Sequence, residues 1–324
     1  MSTVALPPVL RVPPVVASLG LVAAMVAFGG AMYTGFFSAQ VFLNLLIDNA
    51  FLLIVATGMT FVILAGGIDL SVGSVVALTT MVCATLVERH GWPPALVIPL
   101  ALAGGVAIGA FQGWLIQRFL LQPFIVTLAG MFLARGLCYL ISIDSISITE
   151  ATFTHIAQAR VELWSGAALS VGAIIALVTF GLAVFVAHGT AFGRNVYAVG
   201  GNEASAVLMG LPVGRTVVGV YALSGFCAAL GGVVFTFYML SGYGLHAVGL
   251  ELDAIAAVVI GGTLLAGGIG LVAGTLSGVL VLGLIQTLIT FDGTLSSWWT
   301  RIVIGALLFA FCLLQRLTQG RTEA

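Results

Sequence analysis

Six polar side chains interrupt apolar stretches of this chain where they could do chemistry: Asp48 beside Asn49, Asp69, Arg135, Glu251 and Asp253. An ionisable group near the middle of a membrane helix costs about 2.5–3.5 kcal/mol on insertion scales, so its presence calls for a partner or a task. Carboxylates and a guanidinium at such places can pair, relay charge, or hydrogen-bond a polar solute in transit. The competing role is structural. Asp69 stands where it could cap a helix beginning at Ser71, and Asp253 could cap its own helix. Arg135 has no capping role, and pairing with one of these carboxylates is its expected fate. The candidate path for a solute therefore comprises Asp48, Asn49, Gly67, Asp69, Ser71, Arg135, Glu251, Asp253 and Thr263.

Covalent and metal chemistry find no support. Neither H-E-x-x-H nor G-x-S-x-G occurs, and the four histidines, His90, His155, His188 and His246, stand in or near connecting segments without metal-ligand spacing. Gly268-x-Gly270-x-x-Ala273 fits a dinucleotide fingerprint formally, but it follows no strand and has no acidic residue about twenty positions on. The chain has no lysine, so all ten basic residues are arginines. A phosphate-binding loop of the G-x-x-x-x-G-K-[ST] kind is therefore impossible, and ATP, if used, is bound by another chain. Cys83, Cys138, Cys227 and Cys312 are far apart in apolar runs and read as small buried side chains.

A second functional stretch is polar. Between His188 and Arg215, GGNEASAVLMGL (Gly200–Leu211) followed by Pro212 carries the signals of a short helix. Asn202 is a good N-cap, Glu203 suits the positive helix end, Gly210 can turn left-handed, and Pro212 stops continuation. Ala204, Val207, Leu208 and Leu211 form one apolar stripe, with Glu203 and Ser205 off it. Two turns of helix are unstable alone in water, so this element must be held by packing. We read it as resting between the membrane body and a soluble partner, with Asn202, Glu203, Ala204, Ser205, Leu208, Met209 and Gly210 transmitting force.

Composition supplies the setting. Of 324 residues, 61% are hydrophobic and 6% charged, with net charge −1. Soluble domains carry roughly 25% charged residues, so this is an all-α polytopic membrane protein with no surface for nucleic acid. Apolar runs predict about ten spans, near 15–37, 42–65, 71–87, 95–118, 123–142, 166–187, 215–240, 253–267, 271–290 and 298–316. One domain is expected over 1–324, with an N-terminal arm of about 1–14 and a polar loop of about 188–214. The first apolar run is too long for a cleaved signal core and reads as a span.

Placing both termini inside puts Arg11, Arg118, Arg194, Arg215, Arg316 and Arg321 on the cytoplasmic side, leaving Arg89 and Arg160 outside with Glu88, Asp144, Glu150, Glu162 and Asp292. The Gly200–Leu211 helix is then cytoplasmic, and Ser142–Ser165 becomes the largest external loop. Trp298 and Trp299 would anchor the last span at the outer interface.

Glycines recur at every fourth position, Gly105, Gly109, Gly113 and again Gly270, Gly274, Gly278, giving smooth strips on which helices can approach closely within the subunit or between two subunits. A weak internal repeat pairs VILAGGIDLSVGS (Val62–Ser74) with VVIGGTLLAGGI (Val258–Ile269). Such Gly-interrupted segments in the two halves of a transporter often mark discontinuous helices along the substrate path.

GGIDLSVGS (Gly66–Ser74), GGNEASAVLMGLPV (Gly200–Val213) and ELDAIAAVVIGGTLLAGG (Glu251–Gly268), with their spacing, resemble the ribose/xylose-type permeases of bacterial ABC sugar importers over nearly the whole chain. Asp48–Leu64, Thr127–Gly136 and Phe291–Ile302 most resemble a permease subunit of galactofuranose importers. The resemblance implies a fold like that of the vitamin B12-type importers, a multi-pass protein of the bacterial inner membrane, and a coupling helix at Asn202 and Glu203. It implies three partners: a second, different permease, a cytoplasmic ABC ATPase binding ATP and magnesium, and a periplasmic sugar-binding protein. This chain itself would hold no cofactor and no metal. Ile269 departs from ribose-type relatives, which often carry lysine after the Gly-Gly pair. An ion-coupled secondary transporter using Asp48 or Asp69 with Arg135, and an integral membrane enzyme, are the rival readings.

Overall fold

The computed structural model describes residues 14–164, 166–294, 296 and 298–319. The expected N-terminal arm with Arg11, as well as Ser165 and Arg321, lies outside the described residues. Among the described residues, seven helices are long and apolar enough to cross a membrane, or eight when one bent pair counts as a single span.

Most spans form where hydropathy predicts. The helices α1 (Pro14–Met32), α4 (Val72–Ala84), α5 (Pro94–Phe119), α6 (Pro123–Ile141), α8 (Val171–Gly189), α11 (Val213–Met239) and α13 (Val272–Asp292) are long and apolar, α4 continuing into a π-helical turn at Thr85–Arg89. Pro94 and Pro123 occupy first-turn positions, where the missing N–H costs no hydrogen bond.

Three expectations are corrected. The second span is two helices, α2 (Ala39–Asp48) and α3 (Ala50–Leu64), bent by 55° at Asn49. Asn49 causes the break: its side-chain Nδ2 donates to the Leu45 carbonyl at 2.9 Å, and its backbone N–H bonds Ile47. The eighth span is only an 11-residue helix, α12 (Leu250–Ile260), followed by an irregular loop to Leu271. At 1.5 Å per residue such a helix covers about half the hydrocarbon thickness. The last helix, α14 (Trp298–Gln319), forms over the predicted span.

The third correction concerns the 142–165 segment. It holds a short helix α7 (Ala151–Gln158) and two small antiparallel ladders, so the chain is not purely helical. Strand β1 (Ile146–Ser147) pairs with β4 (Ser241–Gly242), and β2 (Arg160–Trp164) pairs with β3 (Ala167–Ser170). The apolar start of the predicted sixth span is thereby drawn into a hairpin. Ser170 then caps α8, its hydroxyl accepting from the Ala173 N–H at 3.2 Å. Glu150 caps α7; partial burial pushes its carboxyl up, but the amides of Thr152 and Phe153 and the Thr152 hydroxyl outweigh that and hold it below the ordinary range.

The core is built from helices that are apolar all round. In α3, every residue from Leu52 to Leu64 is buried, as are most of α11 and much of α13. Helices α1, α5, α6 and α8 bury one side and expose Phe28, Phe111, Phe132 and Phe185 on the other, the pattern of helices facing lipid. The glycine strips pack within the subunit. Backbone at Gly105 and Gly109 of α5 meets Gly225 and Tyr221 of α11, and Gly274 and Gly278 of α13 meet Gly261 and Ala257.

A Cβ at Gly109 would stand 2.0 Å from the Tyr221 carbonyl oxygen, whereas one at Gly104 would meet nothing within 4 Å. Gly109→Ala should lower the thermal unfolding midpoint of the purified protein by the equivalent of about 1–3 kcal/mol. Gly104→Ala should leave it within about 0.5 kcal/mol or raise it slightly. Equal midpoints would mean α5 and α11 separate without cost.

Candidate functional site

The polar stretch after His188 folds into two helices, α9 (Ala191–Gly201) and α10 (Glu203–Leu208). Only the second was predicted. Thr190 caps α9, its hydroxyl accepting from the Gly193 N–H at 3.2 Å. Asn202 caps α10, its Oδ1 accepting from the Ser205 N–H at 2.8 Å, and Gly210 takes the left-handed conformation at φ +74°. The face holding α10 differs from the predicted stripe. Ala206 is its buried residue, packed with Val199, Val213 and partly buried Leu211, while Ala204, Val207, Leu208 and Met209 are exposed. Leu208 reaches 89% exposure, so α10 presents an apolar tip beside Glu203 that no described residue covers. A two-turn helix closed by an N-cap and a left-handed glycine tolerates this because its short inner face is anchored through Ala206 and the α9 end.

Directly beneath, three separate segments meet through glycine backbone. A Cβ on Gly200 would stand 1.7 Å from the Leu64 carbonyl oxygen and 2.7 Å from the Gly268 nitrogen. Gly268, at φ +74°, lies over Gly201, and Gly267 lies over Gly66. The Gly268 N–H donates to the Leu64 carbonyl at 2.8 Å, tying the end of α3 to the loop after α12. The two Gly-Gly repeats thus end α3 and start the loop after α12, and the two loops face each other and α9. They form a junction inside the subunit.

Asp69 is 1% exposed and structural in its contacts. Its Oδ1 accepts from the Ser71 N–H at 2.9 Å and the Ser71 hydroxyl at 2.6 Å, and its Oδ2 accepts from the Ser224 hydroxyl at 2.7 Å. Gln112 Nε2 donates to Ser71 at 3.1 Å, joining α5 to the same network. Gly67 packs against the Tyr221 hydroxyl, and Thr263 is buried against Gly270. Of these four path candidates, Gly67 is interior packing, Asp69 and Ser71 are polar cross-links, and the buried Thr263 hydroxyl has no hydrogen-bond partner among the described residues.

Arg135 pairs with no carboxylate among the described residues. Its Nη1 donates to the carbonyls of Gly244 (2.5 Å) and His246 (2.8 Å), holding the segment between β4 and α12. That segment runs along α4, from Gly242 beside Thr80 to Ala247 and Glu251 against Gly73, with Ala247 at φ +55° and Gly249 at +86°. Irregular backbone leaves carbonyls free, and a guanidinium with five donors satisfies two of them at once. Glu251 Oε1 accepts from the Gly249 N–H at 3.2 Å, while its Oε2 is buried without a hydrogen-bond partner among the described residues.

The remaining path candidates converge elsewhere. Asn49, at the α2–α3 break, and Asp253, in the first turn of α12, line one cavity of about 520 Å³ with Gln286, Thr290, Thr300, Arg301 and Trp298. Asp48 and Asn49 line an adjoining space of about 190 Å³ that shares Gln286 and Thr290. Asp253 is paired with Arg301 at 2.8 Å, and Asp48 accepts from the Tyr238 hydroxyl at 3.2 Å. Sequence reading passed over Gln286, Thr290 and Arg301 as ordinary span residues; their spacing on α13 and α14 gives no signal until those helices are set beside Asn49.

The fold is a polytopic helical membrane body with a capped surface helix and broken inner helices, and comparison with known proteins gives its family. Residues 41–312 match the family described as branched-chain amino acid transport system / permease component. The inner membrane ABC transporter permease protein YjfF of Escherichia coli is 52% identical over 88% of this chain and 86% of its own length. The chain belongs to the ribose/xylose-type ABC sugar permeases. The fructose import permease FruG of Bifidobacterium longum is 41% identical to this permease over 94% of the chain and 90% of the relative. The ribose import permease RbsC of Haemophilus influenzae is 40% identical over 81% of each. No solved structure matches the chain. The permease is thus a transport component of the membrane; the family's printed description names amino acids, while the relatives' names point to sugars.

Two predictions follow from the junction and the Asp69 network. Gly200→Ala forces a methyl into the Leu64 carbonyl, whereas a Cβ at Gly201 would meet nothing within 4 Å. Sugar uptake by the Gly200→Ala permease should fall severalfold per inserted molecule, with Gly201→Ala close to wild type; equal rates would show that the junction yields freely. Asp69→Leu should lower the unfolding midpoint by the equivalent of about 1–3 kcal/mol for each buried donor left unpaired, and Asp69→Asn, which keeps an acceptor for Ser71, should lose much less.

Proposed function

We propose that this chain is one permease subunit of an ATP-driven importer that moves galactofuranose across the bacterial inner membrane. It would work with a different second permease, a cytoplasmic ABC ATPase that binds ATP and magnesium, and a periplasmic sugar-binding protein. Both termini and α10 face the cytoplasm in this reading, which the arginine distribution supports. The observation that carries the mechanism is α10: a capped surface helix with an exposed Val207–Met209 tip and Glu203 in its first turn, seated on the glycine junction. An apolar tip rimmed by a charge is a docking feature, and the ATPase is the occupant that the family supplies.

ATPase closure would push α10, and the junction would carry the displacement to the ends of α3 and α12 because close-packed backbone cannot absorb it. The permease pair then rocks between outward- and inward-open states. Galactofuranose is supported by the resemblance of Asp48–Leu64, Thr127–Gly136 and Phe291–Ile302 to permeases of galactofuranose importers. An ion-coupled transporter is less well supported, since Asp69 and Arg135, its would-be relay, make structural bonds to different groups.

The test is uptake of labelled galactofuranose, ribose and fructose in cells carrying this permease with its neighbouring gene products, with an active or an inactive ATPase, and with Glu203→Arg in place of the wild-type permease. Uptake of galactofuranose alone, lost with either change, is expected. ATPase-dependent uptake of another sugar would discard the substrate and keep the importer; uptake that ignores the ATPase but collapses with the proton gradient would discard the mechanism.

A further inference from the structure

The cavity at the α2–α3 break has a composition that the packing of a membrane helix bundle does not require. Gln286, on α13, is exposed into it, and its side-chain amide makes no hydrogen bond among the described residues. An exposed amide with two donors and two acceptor lone pairs left free can pair with water or with a solute entering the cavity. Asn49 is similar: its Nδ2 is used on Leu45, which leaves its oxygen free to accept. Thr290 donates its hydroxyl proton to the Gln286 carbonyl at 2.9 Å and keeps lone pairs to accept with. Arg301 gives one nitrogen to Asp253 and retains further N–H donors.

Donors and acceptors thus converge from three elements on one volume. Leu52, Leu282 and Ile304 form apolar walls, and Trp298 stands at the rim. About 520 Å³ lies within the usual range of small-molecule sites, and apolar walls with a few convergent polar groups are their usual makeup.

The charge balance narrows the ligand. The one carboxylate and the one guanidinium of this cavity neutralise each other at 2.8 Å, so neither a sugar acid nor a phosphate finds an unpaired cation. A hydroxyl both donates and accepts, and several hydroxyls on one small ring match a mixed set of amide, hydroxyl and guanidinium groups. We infer that this cavity is a transit site for a neutral monosaccharide, with the Gln286 amide and the Asn49 oxygen as its principal hydroxyl-binding groups.

The site rests on the importer reading and adds a place where the sugar is held. Its wall is also mechanically connected to α10. Asp253 belongs to α12, and the loop that follows α12 touches Gly200 and Gly201 through Gly267 and Gly268. Displacing that loop moves the carboxylate end of the Asp253–Arg301 pair. The polar groups are few and the walls largely apolar, as release requires: a site that held every hydroxyl tightly would slow the sugar's exit.

The experiment uses the assembled importer in proteoliposomes, with binding protein and ATP. Cys83, Cys138 and Cys227 are buried, so a Cys312→Ser background is quiet enough to place a reporter thiol by Gln286→Cys. Its labelling by a membrane-impermeant thiol reagent should slow when the transported sugar is delivered, and should not slow with a sugar that is not transported. In parallel, Gln286→Leu should raise the KM for uptake about fivefold through loss of a hydrogen bond, with Gln286→Asn in between. Phe309→Ala, on a lipid-facing surface, should leave uptake unchanged.

If the importer moves a sugar while Gln286→Leu keeps the wild-type KM and the thiol labels at one rate with or without it, the site is wrong and the importer stands. Labelling that tracks lipid content instead of sugar also overturns it, making the cavity a lipid crevice. Failure of the wild-type assembly to move any of galactofuranose, ribose or fructose would count against the importer reading itself.

Discussion

The rest of the structure depends on backbone contacts that only glycine permits. At Gly200, Gly66, Gly267 and Gly268 three segments far apart in sequence approach until a single Cβ would overlap a carbonyl oxygen or a neighbouring nitrogen. In a bilayer the hydrophobic effect does not drive helices together, because lipid is as apolar as leucine. Close approach and backbone hydrogen bonding have to do so. The bond from the Gly268 N–H to the Leu64 carbonyl illustrates this: it satisfies groups left over at two helix ends, inside the protein, where water is scarce. The same contact makes the junction stiff, since at Gly200 and Gly201 backbone meets backbone directly, and the Tyr197 hydroxyl of α9 adds a bond to the Gly270 carbonyl at 3.1 Å.

That stiffness explains why inner helices can be broken at all. Helix α3 ends at Leu64, and α12 is one short half-helix preceded by an irregular segment. Each break frees carbonyl and amide groups, and each is repaired by a charged or hydroxylated side chain whose net charge is of secondary importance. Asp69 collects donors from Ser71 and Ser224, and Arg135 covers the carbonyls of Gly244 and His246. The ionisable residues that look most like a charge relay in the sequence are therefore spent on backbone and hydroxyl satisfaction, and they are not in contact with one another.

The groups left with free valence lie where α2 bends into α3 at Asn49. Gly283 on α13 gives the Asn49 side chain its space, since a Cβ there would stand 2.6 Å from Nδ2. One bend thus opens the 520 Å³ cavity and places an amide oxygen at its edge, between the lipid-facing exterior and the packed core. The arrangement separates two jobs that a transporter needs. In the proposed mechanism, rigid glycine contacts would carry displacement from the surface helix, and a loosely polar cavity would accept solute without a strong binding pocket.

Much of this was legible in one dimension because the physics is local. A membrane span needs roughly twenty apolar residues, so composition alone locates α5, α6, α11 and α13 within a few positions. The cap of α10 is equally local: Asn202, Gly210 and Pro212 act on neighbours two or three residues away, and the helix forms between them. The motifs at Gly66–Ser74, Gly200–Val213 and Glu251–Gly268 also carried the family, which the relatives share. Tertiary structure decided what depends on neighbours distant in sequence. The bend at Asn49, the half-length of α12 and the fold-back of Ala167–Ser170 into a hairpin each turn on a competing partner, Leu45, the α4 surface or β2, that hydropathy does not register. The buried face of α10 was misread for the same reason: a stripe on a helical wheel says which residues are apolar, and only the packing of Ala206 against Val199 and Val213 says which side is in. Likewise Gln286, Thr290 and Arg301 carry no pattern of their own, and they become a site only because two distant helices are set around one bend.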